Sequence, residues 1–275
     1  MENNRRVYRG PLQAVILDWA GTTVDYGCMA PAAVFIETFW QRGVEVTMAQ
    51  ARAPMGMFKL DHIRAIAQME PVAAQWQAVY GRPCSEADVE ALYHDFQPLQ
   101  LAVIAQYADV IPGTLEALLA FRQRGLKIGS TTGYTRTIMD QLAPLAAQRG
   151  YVPDAIVCAD EVPAGRPQPW MMFQNALQLK VYPMTAIVKI GDTVPDIEEG
   201  LNAGTWTIGL VKTGNEIGLT EADVNALDSA ALKARLEEGY ARLYQAGAHY
   251  VVDGLADVVS VLEEIEARLA QGEGP

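Results

Sequence analysis

Five short stretches carry side chains that could do chemistry. Asp18 closes the apolar run of AVILDWAGTTVD, and Thr132 and Tyr134 lie in GSTTGYT. Arg166 follows a glycine in VPAGRPQPW. Asp192 and Asp196 are four apart in KIGDTVPD. Lys59 and His62 are three apart in PMGMFKLDHI, just after Met55 and Gly56. A carboxylate that ends a buried strand is a good nucleophile. Hydroxyls and backbone N–H groups bind phosphate oxygens, a guanidinium neutralises phosphoryl charge, and carboxylate oxygens suit Mg2+. Singly, each residue has an ordinary use as a helix cap, a turn acid or a surface charge. Jointly, the first four stretches supply the parts for phosphoryl transfer. Lys59 and His62 would share a helix face.

These residues need a scaffold that brings strand ends together. Apolar, β-branched runs at 13–17, 127–131, 154–157, 186–190, 205–210 and 249–252 read as strands. Helical patterns fill 113–124, 135–149, 168–179, 195–202, 229–246 and 255–270. This alternation predicts an α/β fold: a Rossmann-like parallel sheet core with helices on both faces. Ligands of such sheets bind outside the carboxyl ends of the strands, where Asp18, Thr132 and Asp192 fall. The rhythm breaks between the first two strands. That stretch is helical in pattern and is punctuated by Pro31, Gly43, Pro54, Pro71, Pro83 and Pro98. It is too long for a crossover and predicts an inserted all-helical cap at 27–105, with the core formed by 1–26 and 106–275.

Net charge is −12 over 275 residues, which disfavours nucleic acid and anionic membrane as partners. An anionic small molecule must then be held by local cations or a metal. No apolar run approaches the roughly 20 residues of a membrane span, and no apolar segment follows the early arginines as in a leader. Three scattered cysteines argue against a disulfide frame or zinc site and predict a cytoplasmic protein.

VILDWAGTT, Thr132 and GDTVPD resemble the motifs of the haloacid dehalogenase superfamily. That resemblance implies Asp18 as nucleophile. It implies Mg2+ held by Asp18, the main-chain carbonyl of Ala20 and Asp192, with Asp196 supporting from behind. There are two departures from the superfamily's phosphatases. Ala20 stands where they carry a second aspartate, and Arg166 is the nearest cation to the place of their motif lysine. Together with MGMFK, Lys59 and His62, these departures resemble the phosphonoacetaldehyde hydrolase family. The likeness runs through IGSTTGYTR, DEVPAGRPQPW, KIGDTVPDIEEGLNAG and AGAHYVVD.

The resemblance implies a small-molecule substrate, phosphonoacetaldehyde, and no organic cofactor. Lys59 would form a Schiff base, with His62 as acid/base partner. Thr132, Tyr134, Arg166, Met55, Gly56 and Cys28 would line the substrate site. A protonated imine is an electron sink, so an enamine can leave without an acid at residue 20. Lys59 must be neutral to attack, which burial or nearby cations favour. With Lys59 on the cap and Asp18 on the core, the cap must close about hinges near Tyr26–Met29 and Gln106–Pro112. The family also implies a homodimer through the cap. The apolar face of Val34, Phe35, Phe39 and Trp40 suits either that contact or the cap's own core. The alternatives are a phosphomonoesterase or mutase of the superfamily, or a catalytically silent phosphate-binding member.

Overall fold

The structure, a computed structural model, describes residues 7–275. The reading of the first six residues as no leader, and as part of the core, lies outside them. Six strands form one parallel sheet: β1 (Ala14–Leu17), β2 (Lys127–Thr132), β3 (Ala155–Cys158), β4 (Ile187–Gly191), β5 (Trp206–Leu210) and β6 (Tyr250–Val252). Their order is β3-β2-β1-β4-β5-β6, so the sequence of strands reverses at β1. Leu17 pairs with Ser130 on one side and Ile190 on the other. That register brings Asp18, the end of β2 and the Gly191–Asp192 turn to one edge, at the switch point where α/β sheets bind ligands.

The core helices are numbered after those of the cap. The cap helices are α1 (Met29–Trp40), α2 (Met48–Arg52), α3 (Lys59–Gln68), α4 (Glu70–Tyr80) and α5 (Glu86–Val103). The core adds α6 (Thr114–Gln123), α7 (Arg136–Gln148), α8 (Trp170–Leu179), α9 (Val194–Asn202), α10 (Glu221–Ala226), α11 (Ser229–Gln245) and α12 (Val258–Gln271). Alternate residues of β1 serve opposite layers. Val15 and Leu17 pack with Phe121 of α6 and Leu262 of α12, whereas Ala14 and Ile16 pack with Met172 of α8. Short α10 breaks no apolar pattern; Thr220 caps it by accepting from the Asp223 N–H.

The cap has a separate core, built from Phe35, Phe39, Ile63, Ile66, Trp76, Leu92 and Phe96. Val34 joins it, so three of the four residues considered for a dimer face turn inward. Trp40 turns outward and is 64% exposed. The two connections between cap and sheet run side by side. Val24 bridges Val110, the Asp25 N–H donates to the Asp109 carbonyl, and the Ile111 N–H donates to the Thr23 carbonyl. Asp25 and Cys28 both have positive φ, at 56° and 52°, an unfavourable conformation for side-chain-bearing residues. The Asp25 carboxylate holds this turn by accepting from the Met29 and Ala30 N–H groups, each at 3.0 Å, at the start of α1. Among the described residues no helix is long and apolar enough to cross a membrane.

Candidate active site

The core half of the site is a knot of buried charge. The Asp18 N–H extends the sheet by donating to the Ile190 carbonyl, and its carboxylate accepts from Arg166 Nη2 at 2.6 Å. Arg166 also pairs with Asp196 Oδ1 and Glu199 Oε2, both at 3.0 Å, and donates to Thr131 Oγ1 at 2.7 Å. Lys189, inside β4, reaches the same set: Asp196 Oδ1 at 2.8 Å, Glu199 Oε2 at 3.2 Å and Thr131 Oγ1 at 2.8 Å. Asp192 stands apart. It accepts from Thr22 Oγ1 at 2.9 Å and from the Asn215 N–H at 2.8 Å. Thr193, not Asp192, caps α9, in a reciprocal arrangement with Asp196. Asp192 is thereby left to face Asp18.

Asp18, Asp192 and Asp196 each offer an oxygen within 4.8 Å of the others. Four buried carboxylates (Asp18, Asp192, Asp196 and Glu199) face two buried cations, Arg166 and Lys189. The knot is short of two positive charges. Burial pushes the Asp18 carboxyl above its usual range, and Arg166 only partly offsets this. Burial pushes Asp192 up further, with Asp18 and Asp196 adding repulsion. Burial also opposes ionisation of Asp196, but Arg166 and Lys189 outweigh it and hold that carboxyl low. A site of hard oxygen donors lacking two positive charges fits a divalent cation such as Mg2+. Asp196 pairs with both Arg166 and Lys189, Asp18 with Arg166 through Oδ1 alone, and Asp192 with neither, so Asp192 and the second oxygen of Asp18 are the more available donors.

The cap half is apolar. Lys59 is the first residue of α3, with Phe58 as N-cap, and shares its buried face with His62, Ile63 and Ile66. Its Nζ lies 5.1 Å from the Tyr134 ring centre and 5.6 Å from that of Phe35. Burial pulls the ammonium pKa down, and Arg166 acts in the same direction against the opposing pull of Cys28 and Asp18. The positive end of the α3 dipole also disfavours a cation at this position.

His62 is wholly buried and stacks on Phe35, ring centres 3.7 Å apart. Its Nε2 lies 2.8 Å from the Ala51 carbonyl, which can only accept, so Nε2 carries the hydrogen. Burial, with Lys59 adding to it, pushes the ring well below its ordinary pKa and keeps it neutral. Nδ1 therefore holds the lone pair, and it has no partner among the described residues.

Cap and core meet across a close seam. A Cβ on Gly133 would come within 2.8 Å of the Met57 carbonyl oxygen, and one on Gly165 within 2.9 Å of Phe58 Cβ. Gly56, at φ 94°, packs against Thr193 on the core. Along the seam lies a cavity of about 20 Å3, lined from the core by Asp18, Ala20, Thr132, Gly133, Tyr134, Arg166 and Thr193. Cys28, Pro31, Met55, Gly56 and Lys59 line its other side. Thr132 also accepts from the Tyr134 N–H at 3.1 Å, which shapes the turn after β2. The cavity has room for little more than a water molecule. Of the residues singled out in the sequence, His62, Asp192 and Asp196 lie behind this lining rather than in it.

A model of haloacid dehalogenase-like hydrolases matches residues 12–204. The chain is 54% identical to a phosphonoacetaldehyde hydrolase of Nitratidesulfovibrio vulgaris, over 98% of this chain and 96% of that one. It is 48% identical to a phosphonoacetaldehyde hydrolase of Bacillus thuringiensis, over 93% of this chain and 97% of that one. The chain belongs to the phosphonoacetaldehyde hydrolase family of haloacid dehalogenase-like hydrolases. The crystal structure of a phosphonoacetaldehyde hydrolase-like protein from Oleispira antarctica agrees with the whole fold of this family member. Its TM-score is 0.97 at 41% identity, with full coverage of both chains.

Several residues of this hydrolase's site escape sequence reasoning. Lys189 had a signal: a lysine within AIVKI, on a strand buried on both faces, must find a carboxylate. Glu199 had one too, since it lies three residues after Asp196 on the same helix face. Thr22 and Thr131 neighbour singled-out residues without standing out from them. Asn215 acts through its backbone N–H, which no side-chain pattern reveals.

Proposed function

We propose that this hydrolase cleaves the P–C bond of phosphonoacetaldehyde to acetaldehyde and phosphate, through a Lys59 Schiff base and an Asp18 aspartyl-phosphate. The observation that carries this reading is the pairing within one small cavity of a desolvated lysine from the cap and an arginine-bound aspartate from the core. Residues 27–105 act as a moving cap on a core of 1–26 and 106–275. The small volume of the cavity supports this, because it is too small for the substrate unless the cap moves away from the core.

Neutral Lys59 Nζ adds to the aldehyde carbon, and the proton shed by its nitrogen passes by way of neutral His62 Nδ1 to the former carbonyl oxygen. The hydroxyl so formed takes one further proton from solvent and leaves as water, giving the protonated imine. Asp18 attacks phosphorus while the P–C electrons flow into the imine, giving an enamine and an acyl phosphate. Water cleaves the acyl phosphate and restores Asp18. The enamine takes a proton on carbon, and water then hydrolyses the iminium to release acetaldehyde and Lys59. Arg166 and the Thr132 turn orient the phosphonate. Tyr134, Met55, Gly56 and Cys28 shape the pocket around the organic group.

Asp18, the Ala20 carbonyl and Asp192 would hold Mg2+, with Asp196 behind them. The ion would neutralise phosphonate charge and supply the two positive charges the knot lacks. Ala20 is consistent with this chemistry, since an enamine leaving group needs no acid on oxygen. A phosphomonoesterase would have no use for a buried amine at residue 59. The three cysteines are unpaired, which supports a reducing, cytoplasmic setting. Exposed Trp40 supports self-association through the cap to a homodimer.

The test is an incubation with Mg2+ and phosphonoacetaldehyde, with acetaldehyde and phosphate assayed. Borohydride added during turnover should inactivate the enzyme by leaving a two-carbon adduct on Lys59, detectable by peptide mass spectrometry. Turnover without any adduct would rule out the imine route.

A further inference from the structure

The loop after β5, residues 211–219, touches the hinge, the cap and the metal-binding acids. The Gly27 N–H donates to the Thr213 carbonyl at 2.8 Å, and Thr213 Oγ1 donates to the Gly21 carbonyl at 3.0 Å. The Asn215 N–H donates to Asp192 Oδ2. The Asn215 side chain faces the other way. Its Oδ1 accepts from Arg52 Nη1 at 3.1 Å, and its Nδ2 donates to the Arg52 carbonyl at 3.4 Å. Arg52 ends α2 on the cap. The same Nη1 donates to the Gly27 carbonyl at 2.8 Å. The guanidinium lies against Gly218, where a Cβ would come within 2.8 Å of Cζ.

We propose that Arg52 and Asn215 form a latch that couples the seating of the cap to the orientation of the Asp192 carboxylate. Both are positioning residues; neither lines the cavity. One residue, Asn215, is gripped by the cap through its side chain and grips Asp192 through its backbone. A cap that lifts withdraws Arg52 and frees the loop, so the N–H that orients Asp192 is no longer fixed. Coupling of this kind is reciprocal: whatever holds Asp192 in its closed orientation must also favour the closed cap. A divalent cation bound at Asp18 and Asp192 would therefore help draw the cap down before any substrate arrives. This rests on the metal assignment in the proposed function.

The experiment uses the full-length protein with Mg2+ alone. Binding is measured by titration calorimetry. Cap seating is followed by amide hydrogen exchange across residues 52–62. In the unmodified protein Mg2+ should slow exchange there by about fivefold or more. Asn215→Ala keeps the backbone N–H but removes both side-chain contacts. It should abolish the Mg2+-dependent slowing and weaken Mg2+ binding by about fivefold. Arg52→Gln, on a partly exposed residue, should lose the same coupling, and the double variant should be no worse than either single one. Variants that speed exchange equally with and without Mg2+, leaving the Mg2+ effect intact, would reduce the pair to a structural contact and overturn the latch. Mg2+ binding to the unmodified protein with no effect on cap exchange would also overturn it, while leaving the metal assignment standing. No Mg2+ binding at all would remove both.

Discussion

The two halves of the site bury their reactive groups by opposite means. On the core, Asp18 is embedded among charges: Arg166 beside it, and Lys189, Asp196 and Glu199 one contact further away. On the cap, Lys59 is embedded among rings, with Tyr134 and Phe35 as its near neighbours. The proposed carboxylate nucleophile has an ion-pair partner, Arg166, that favours its ionised form against burial. The proposed amine nucleophile is set among rings, where burial pulls its pKa down. Burial favours the uncharged form of both groups, and at Asp18 the neighbouring Arg166 works against it.

The sharpest way to break this division is to remove each proposed nucleophile and compare what remains. Asp18→Asn and Lys59→Arg should each lower kcat by about 10^4-fold or more. They should differ under borohydride. Asp18→Asn should still be trapped as a Lys59 adduct with phosphonoacetaldehyde, because in the proposed mechanism imine formation precedes attack on phosphorus. Lys59→Arg should yield no adduct. Adduct in Lys59→Arg, or none in Asp18→Asn, would undo the assignment of one step to each half.

Stability separates the halves next. Arg166→Met strips the main partner from Asp18 and should cost about 3–5 kcal/mol in urea unfolding, as expected for a broken buried ion pair. Lys59→Met should move the other way and stabilise by about 1–2 kcal/mol, since it removes a desolvated amine kept for function. The pH dependence fixes the sign. Lys59 has a folded pKa below its unfolded value, so between the two the unfolded chain holds the extra proton and stability rises with pH. The advantage of Lys59→Met should be full at pH values below the folded pKa and should vanish near pH ~10.4, the ordinary lysine value. An advantage that persisted above that value would mean packing, not charge, was its source.

The mildest effect is on the rate profile. Imine formation should climb about tenfold per pH unit until Lys59 is neutral, then level off below the ordinary lysine range. Stopped-flow measurement with the aldehyde substrate reads this limb directly. Levelling off only above pH ~10.4 would mean the apolar cap does not tune the amine.

Legibility from sequence followed the same division. Asp18 and Asp192 are readable because each ends an apolar strand, and parallel strands in register must deliver their ends to one edge. The Lys59–His62 spacing correctly places both on the buried face of α3. Spacing does not say how far that face extends. Lys59 meets the cavity, while His62 stacks within the cap's own core on Phe35. Val34, Phe35 and Phe39 show the same limit, because an apolar stripe reads identically whether it meets a partner or its own domain. The Arg166 network was half visible. The arginine stands out after a turn, but its three carboxylates come from β1's end and α9, and only the fold brings them together.

The cap carries Lys59 and the core carries Asp18, and this has a mechanical consequence. In the proposed mechanism, breaking the P–C bond would leave the carbon fragment bonded to the cap and the phosphorus bonded to the core. The first opening stroke would then pull the two products apart along different bodies. Recombination would require the lid to return to the same seat before either bond hydrolyses. In that proposed cycle the hinge would slow recombination of the two tethered fragments, while the overall direction would still be set by the chemistry.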